Sequence, residues 1–178
     1  MNFKAAHKII DGFKFPYKNR LDDLFIISYP RSGSHWLKFL IANALKVHFK
    51  IETEVNFFNI HQIIPHLPTK RPFKKLEISE TPPFGIESIS RILHTHSPFN
   101  YHMQNVILLL RNPFDVVESY YFLENSFNKI KSRERFIVSK TNEWINHTKS
   151  WLHYNQKDWV THRGFQRVIL FRYENLKM

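Results

Sequence analysis

The segment LFIISYPRSGSHWLKFLIANAL, residues 24–45, constrains the fold more tightly than any other part of the chain. An uninterrupted apolar run ends at Tyr29-Pro30, the chain turns through Arg31-Ser32-Gly33-Ser34, and apolar residues resume at helical spacing. A continuously apolar strand is buried on both faces, as in a parallel sheet covered by helices. A strand that turns directly into a helix leaves unpaired backbone N–H groups at the positive end of the helix dipole. Such a turn holds an oxyanion, and Arg31 adds a formal charge to it.

The rest of the chain extends the pattern. Further apolar runs at 92–95, 106–110 and 167–171 read as strands, and 106–110 is again continuously apolar. Helical spacing covers 33–48, where Trp36, Leu37, Leu40, Ile41, Ala44, Leu45 and Val47 form a wide apolar stripe. A second helix, 113–122, opens with Asn112 as N-cap, Pro113 at the first position and Asp115 in the first turn. A third, 139–154, sets Trp144, Thr148 and Trp151 on one face. Alternating strands and helices predict an α/β three-layer sandwich around a parallel sheet with right-handed crossovers. Ligands in such folds sit beyond the carboxyl ends of the strands, which brings the segments after Ser28, Thr95 and Leu110 to one rim.

Bulk properties fit a single domain over residues 1–178. A chain of that size buries roughly 70% of the surface that the unfolded chain exposes, and 43% hydrophobic with 16% aromatic residues excludes a disordered or repetitive chain. The absence of Cys excludes disulfides and thiolate metal sites. A net charge of +11 suits a phosphate-rich partner. Its basic residues are spread along the chain, which argues against nucleic acid, and the densest cluster, TKRPFKK at 69–75, reads as a solvated loop. The N-terminal residues lack an apolar stretch of signal-peptide length, and no run reaches the length of a membrane span, so a cytoplasmic location is expected.

The nucleotide-binding P-loop, G-x-x-x-x-G-K-[ST], is the first comparison for the turn. Its first glycine is missing here, Gly33 is followed by Ser34-His35, and the basic residue precedes the glycine. No acidic residue at the end of a later strand reads as a Mg²⁺ partner. A P-loop phosphotransferase is therefore disfavoured against an anion loop that works without metal.

YPRSGSHW resembles the 5'-phosphosulfate loop, Y-P-[KR]-S-G-[ST]-x-W, of the sulfotransferases that use 3'-phosphoadenosine 5'-phosphosulfate (PAPS). LLLRNPFDVVESYY resembles that family's 3'-phosphate motif, with Arg111 and Ser119 at its spacing. RILHTHSPF is similar to the R-x-L-K-T-H-x-P segment that carries the catalytic base, which falls on His96, and FRYENL is similar to the late Y-E-D-L strand. WINHTKSW, with His147, is a weaker match to a helix that borders the active site.

The resemblance implies a P-loop nucleoside-triphosphate-hydrolase-like fold and transfer of a sulfuryl group from PAPS, without metal, to a hydroxyl or amine of a small molecule or glycan. It makes His96 the general base and Arg31 the electrostatic partner of the leaving group. Arg31, Ser32, Gly33, Ser34, His35, Trp36, Arg111, Ser119 and Tyr173 become the nucleotide contacts, and His94 and His147 acceptor-site candidates. His94 stands where the family often has Lys, and on a strand it shares a face with His96. Members normally continue to an R-K-G segment, so the resemblance also implies a C-terminal portion missing from this chain and, as the rival reading, a nucleotide-binding module without transfer.

Blander roles compete residue by residue. Trp36 on a buried helix is ordinarily core, as is Tyr173, and Arg111 can pair with Asp115 on the surface. His147 can be a satisfied helix-face histidine. His94 and His96 alone, with no carboxylate nearby and no Cys, make a poor metal pair.

Overall fold

Strand β1 (Leu24–Ser28) runs through the middle of the protein because Phe25, Ile26 and Ile27 place apolar side chains on both of its faces. The computed structural model describes residues 20–67, 81–100, 102–127, 129–153 and 167–176. After β1 come helix α1 (Ser34–His48), the single turn α2 (Ile60–Ile63), and the short strand β2 (His66–Leu67). Strands β3 (Ile92–Thr95) and β4 (Asn105–Leu110) follow, then helices α3 (Pro113–Asn125) and α4 (Arg133–His153) and strand β5 (Arg167–Arg172). All four pairings of the sheet, in the order β2-β3-β1-β4-β5, are parallel.

The period of two in β1 sorts the core. Phe25 and Ile27 join Leu93, Val106, Leu108, Met103 and the Trp151 ring of α4 on one face. Ile26 joins Leu37 and Ala42 of α1, Ile60, Ile64 and Leu109 on the other. Helices thus cover both faces of the sheet, the expected three layers. At the foot of β1, Arg91 donates through Nε and Nη2 to the Asp23 carboxylate at 2.8 and 2.6 Å, with both side chains at most 2% exposed. Breaking one partner of such a buried pair costs about 3–5 kcal/mol, so it fixes the β1–β3 register.

All four strand runs read from the sequence are strands, and only their ends move: β4 begins at Asn105 and β5 runs on to Arg172. Asn112 caps α3, its side chain accepting from the Phe114 N–H at 3.0 Å, and the helix continues three residues past Phe122. Helix α4 begins at Arg133, six residues before 139, and Tyr154 lies outside the described residues, as does the basic segment 69–75. The stripe assigned to α1 needs correction. Trp36, Leu40 and Val47 are exposed, and the inward face is instead Ser34, Leu37, Lys38 and Ala42. Among the described residues no helix is long and apolar enough to cross a membrane.

Candidate active site

The turn after β1 is built to leave donors free. Arg31 and Gly33 take left-handed backbone at φ 71° and 90°, which reverses the chain within a few residues. The Ser32 N–H bonds the Tyr29 carbonyl at 3.1 Å, and the first helical bond runs from the Leu37 N–H to the Gly33 carbonyl at 3.2 Å. The intervening N–H groups of Gly33, Ser34, His35 and Trp36 are the orphan donors of the helix start. The Ser32 hydroxyl is buried and has no hydrogen-bond partner. A buried hydroxyl without a protein partner beside the amides of a helix start is suited to receive an oxyanion.

Next to the turn, Arg31 donates to the Ser119 hydroxyl through Nε and Nη2 at 3.1 and 3.0 Å. Arg111 donates to the Arg31 carbonyl at 3.2 Å, and its guanidinium lies 4.5 Å from the centre of the Tyr173 ring. Asp115 sits 3.7 Å from Arg111 Nε, so the surface pairing open in the sequence is present. It is loose, and it leaves Arg111 facing an open cleft of about 510 Å³ shared with Arg31, Ser119 and Glu118. Trp36 stands at the turn with half its surface exposed, so it is not the core residue that its helix allowed. Tyr173 opens a 3-10 turn directly after β5, and its ring packs against Gly33.

On the β3 side of the rim, His96 lies just past the strand end. Its Nδ1 donates to the Ser28 carbonyl at 2.6 Å, which fixes the tautomer and keeps Nε2 as an acceptor. Burial holds His96 below the usual histidine pKa; the Ser28 bond opposes the shift and the Lys38 charge adds to it. His94 is 2% exposed, with Nε2 at 3.3 Å from the Ser28 hydroxyl and Nδ1 at 2.8 Å from His66 Nδ1. Burial, and then His96 and His66, hold His94 well below the usual range. His94 and His96 do share a face, their ring centres 4.6 Å apart.

Two members of this cluster escaped the sequence reading. Lys38 is fully buried, its Nζ 3.4 Å from His61 Nδ1, and burial lowers its pKa to about 8. Its signal was present, because Ser34, Leu37, Lys38 and Ile41 share one helical face. His66, lowered by burial to about 4, sits on a two-residue strand too short for any periodicity to reveal.

His147 on α4 is 8% exposed, edge-on to Tyr29 at 5.8 Å between ring centres. Neither ring nitrogen has a hydrogen-bond partner. It is therefore not a satisfied helix-face histidine. Burial lowers its pKa to about 4, with the His96 charge adding to the effect; the Ser97 and His96 carbonyls pull the other way without reaching bonding geometry. The folded state thus refuses a proton that the unfolded chain accepts near pH 6.5, so stability is lost as pH falls from about 6.5 to 4. From pH 7 to pH 5 His147 alone is expected to remove about 2 kcal/mol of unfolding free energy. Urea titrations across that range should show a shallower pH slope for His147→Gln, and equal slopes would contradict the assignment.

The chain matches the sulfotransferase domain family over residues 21–178. It belongs to that family. Sulfotransferase 1E1 from Bos taurus is 30% identical over 90% of this chain, and the Rattus norvegicus protein of the same name is 28% identical over 90%. Sulfotransferase 4A1 from Mus musculus is 26% identical over 95%. The chain spans only 56–58% of the length of these relatives. A retinol dehydratase solved in a complex with retinol and PAP has a similar fold, with a TM-score of 0.54 at 20% identity, covering 97% of this chain and 59% of that one.

Proposed function

We propose that this sulfotransferase-family chain moves a sulfuryl group from PAPS to a hydroxyl, or an amine, of a small molecule or glycan, with His96 as general base. One observation carries the reading. His96 is anchored by its Nδ1 proton to the Ser28 carbonyl at the mouth of the anion turn, so Nε2 is free to accept a proton.

In the reaction the acceptor O–H gives its proton to His96 Nε2 while the oxygen attacks sulfur. The bond from sulfur to the bridging oxygen breaks, giving a sulfate ester and 3',5'-ADP. Charge grows on the bridging oxygen, where the orphan N–H groups of the turn and the Ser32 hydroxyl await it. Each such aimed donor is worth roughly 3 kcal/mol in the transition state. Arg31 keeps its proton throughout and acts by charge alone, on turning from Ser119 to the nucleotide. A lowered pKa keeps His96 neutral, and therefore basic, at neutral pH. No step calls for a metal.

His94 supports His96 from beneath, both of its nitrogens being occupied. His147, with none occupied and its ring edge-on to Tyr29, is the acceptor-site candidate on α4. Arg111 and Ser119 take the 3'-phosphate, and Trp36 and Tyr173 border the base. Calorimetric titration with 3',5'-ADP against ATP, with and without Mg²⁺, tests the nucleotide class; Mg²⁺-dependent ATP binding would overturn it. Arg111→Ala is expected to weaken 3',5'-ADP by about 1.5–3 kcal/mol, a factor of about 10–150, and to leave 5'-AMP nearly unaffected. Equal losses for the two nucleotides would remove Arg111 from the 3'-phosphate.

A further inference from the structure

Three imidazoles from separate positions converge beside β1: His66 on the edge strand β2, His94 within β3 and His96 just beyond it. One ring nitrogen from each lies within 4.8 Å of the others, and the ring centres are 4.6–5.2 Å apart. In the proposed transfer only His96 takes a proton, with His94 packed beneath it. Two further imidazoles packed nitrogen to nitrogen at 2.8 Å, one of them 2% exposed, forfeit hydration that an apolar pair would not need. The reaction gives no reason for that arrangement, and the sheet gives none either, since the next residues of the same strands, Leu67 and Thr95, pair without such a cluster.

We propose that His66, His94 and His96 form a site for a borderline divalent transition metal of the zinc class, and that its occupancy takes the base out of use. Imidazole donors with no carboxylate or thiolate among the three select Zn²⁺ and its neighbours over Mg²⁺ or Ca²⁺. A tetrahedral zinc with bonds of about 2.0–2.1 Å spaces its ligand nitrogens about 3.4 Å apart. That value falls between the 2.8 Å of the closest pair and the 4.8 Å outer limit. Metal-bound histidines characteristically give their other ring N–H to a carbonyl or carboxylate, and His96 already gives Nδ1–H to Ser28.

Three neutral ligands leave the ion its full charge and one open position, which takes hydroxide or an oxyanion. Lys38 acts on all three histidines as a neighbouring cation and opposes a dication there, a cost that an anion at the fourth position offsets. A metal there holds the electron pair that His96 needs to receive the acceptor proton. The inhibitory half of this inference rests on the proposed transfer; the binding half does not.

The test uses the full chain, freed of metal with a chelator. Co²⁺ should bind one per chain with the intense visible bands of a tetrahedral site. His66→Gln should abolish those bands, whereas His48→Gln, on the far end of α1, should leave them. X-ray absorption of the zinc-loaded wild-type chain should count three imidazoles, a measurement that needs no variant to fold. Zn²⁺ should stop transfer by the wild type reversibly, and His66→Gln should need at least about tenfold more zinc for the same fractional loss, measured against its own metal-free rate. Absence of the cobalt bands, bands that survive His66→Gln, or fewer than three imidazoles would overturn the site. Full zinc occupancy with undiminished transfer would overturn its inhibitory role. A metal-free chain without transfer would instead count against the proposed function, leaving the cobalt and absorption results to decide the site.

Discussion

His96→Asn is expected to lower the transfer rate by a factor of about 10²–10⁴ while leaving 3',5'-ADP affinity and thermal stability close to those of the wild type. Asn can still donate to the Ser28 carbonyl that now receives the His96 proton at 2.6 Å, so the strand end stays bonded. It cannot accept a proton from the acceptor. The loss should therefore fall on kcat at saturating acceptor, and single-turnover measurements should locate it in the chemical step. His94 cannot stand in, since it is 2% exposed and both its nitrogens are engaged. Lys38, lowered to about 8, is another buried base, but its Nζ is held 3.4 Å from His61 Nδ1. A variant that keeps most of its transfer rate would leave His96 a structural residue. Loss of nucleotide affinity alongside the rate would move it from the acceptor to the nucleotide.

The fold was legible wherever burial wrote itself into sequence period. Strands β1 and β4 are buried on both faces and were continuous apolar runs; α3 carried its cap, its proline and its acidic first turn in consecutive residues. What could not be read is what tertiary packing overrode. Helix α1 has apolar residues on more than one side, and the sheet takes the face of Leu37 and Lys38, leaving Trp36, Leu40 and Val47 outside. Strand β2 exists only because His66 and Leu67 pair with His94 and Thr95, a non-local fact. The site followed the same division. Arg31, Ser119, Arg111 and Tyr173 came from the family resemblance and do meet. His66 and Lys38 belong to no motif and reach the histidine cluster by packing alone.

Gly33→Ala is expected to cost about 2–5 kcal/mol of stability and to weaken 3',5'-ADP binding together with it. Two separate physical terms make up the loss. Gly33 sits at φ 90°, where an alanine is strained by about 1–2 kcal/mol. An alanine Cβ there would also fall inside van der Waals contact of the Tyr173 ring, whose edge atoms lie directly over the glycine. Overpacking of that kind costs about 1–3 kcal/mol and can be relieved only by moving the ring. Moving the ring breaks its stacking with Arg111, 4.5 Å away, and unsettles the guanidinium assigned to the 3'-phosphate. The two terms can be separated by removing the ring. In a Tyr173→Ala background Gly33→Ala should cost only the backbone part, so a double-mutant cycle on urea midpoints should give a coupling of about 1–3 kcal/mol between the positions. A coupling near zero would mean that Tyr173 yields freely. The glycine would then be required for the shape of the anion turn alone, and Tyr173 would play no part in setting the nucleotide-binding face.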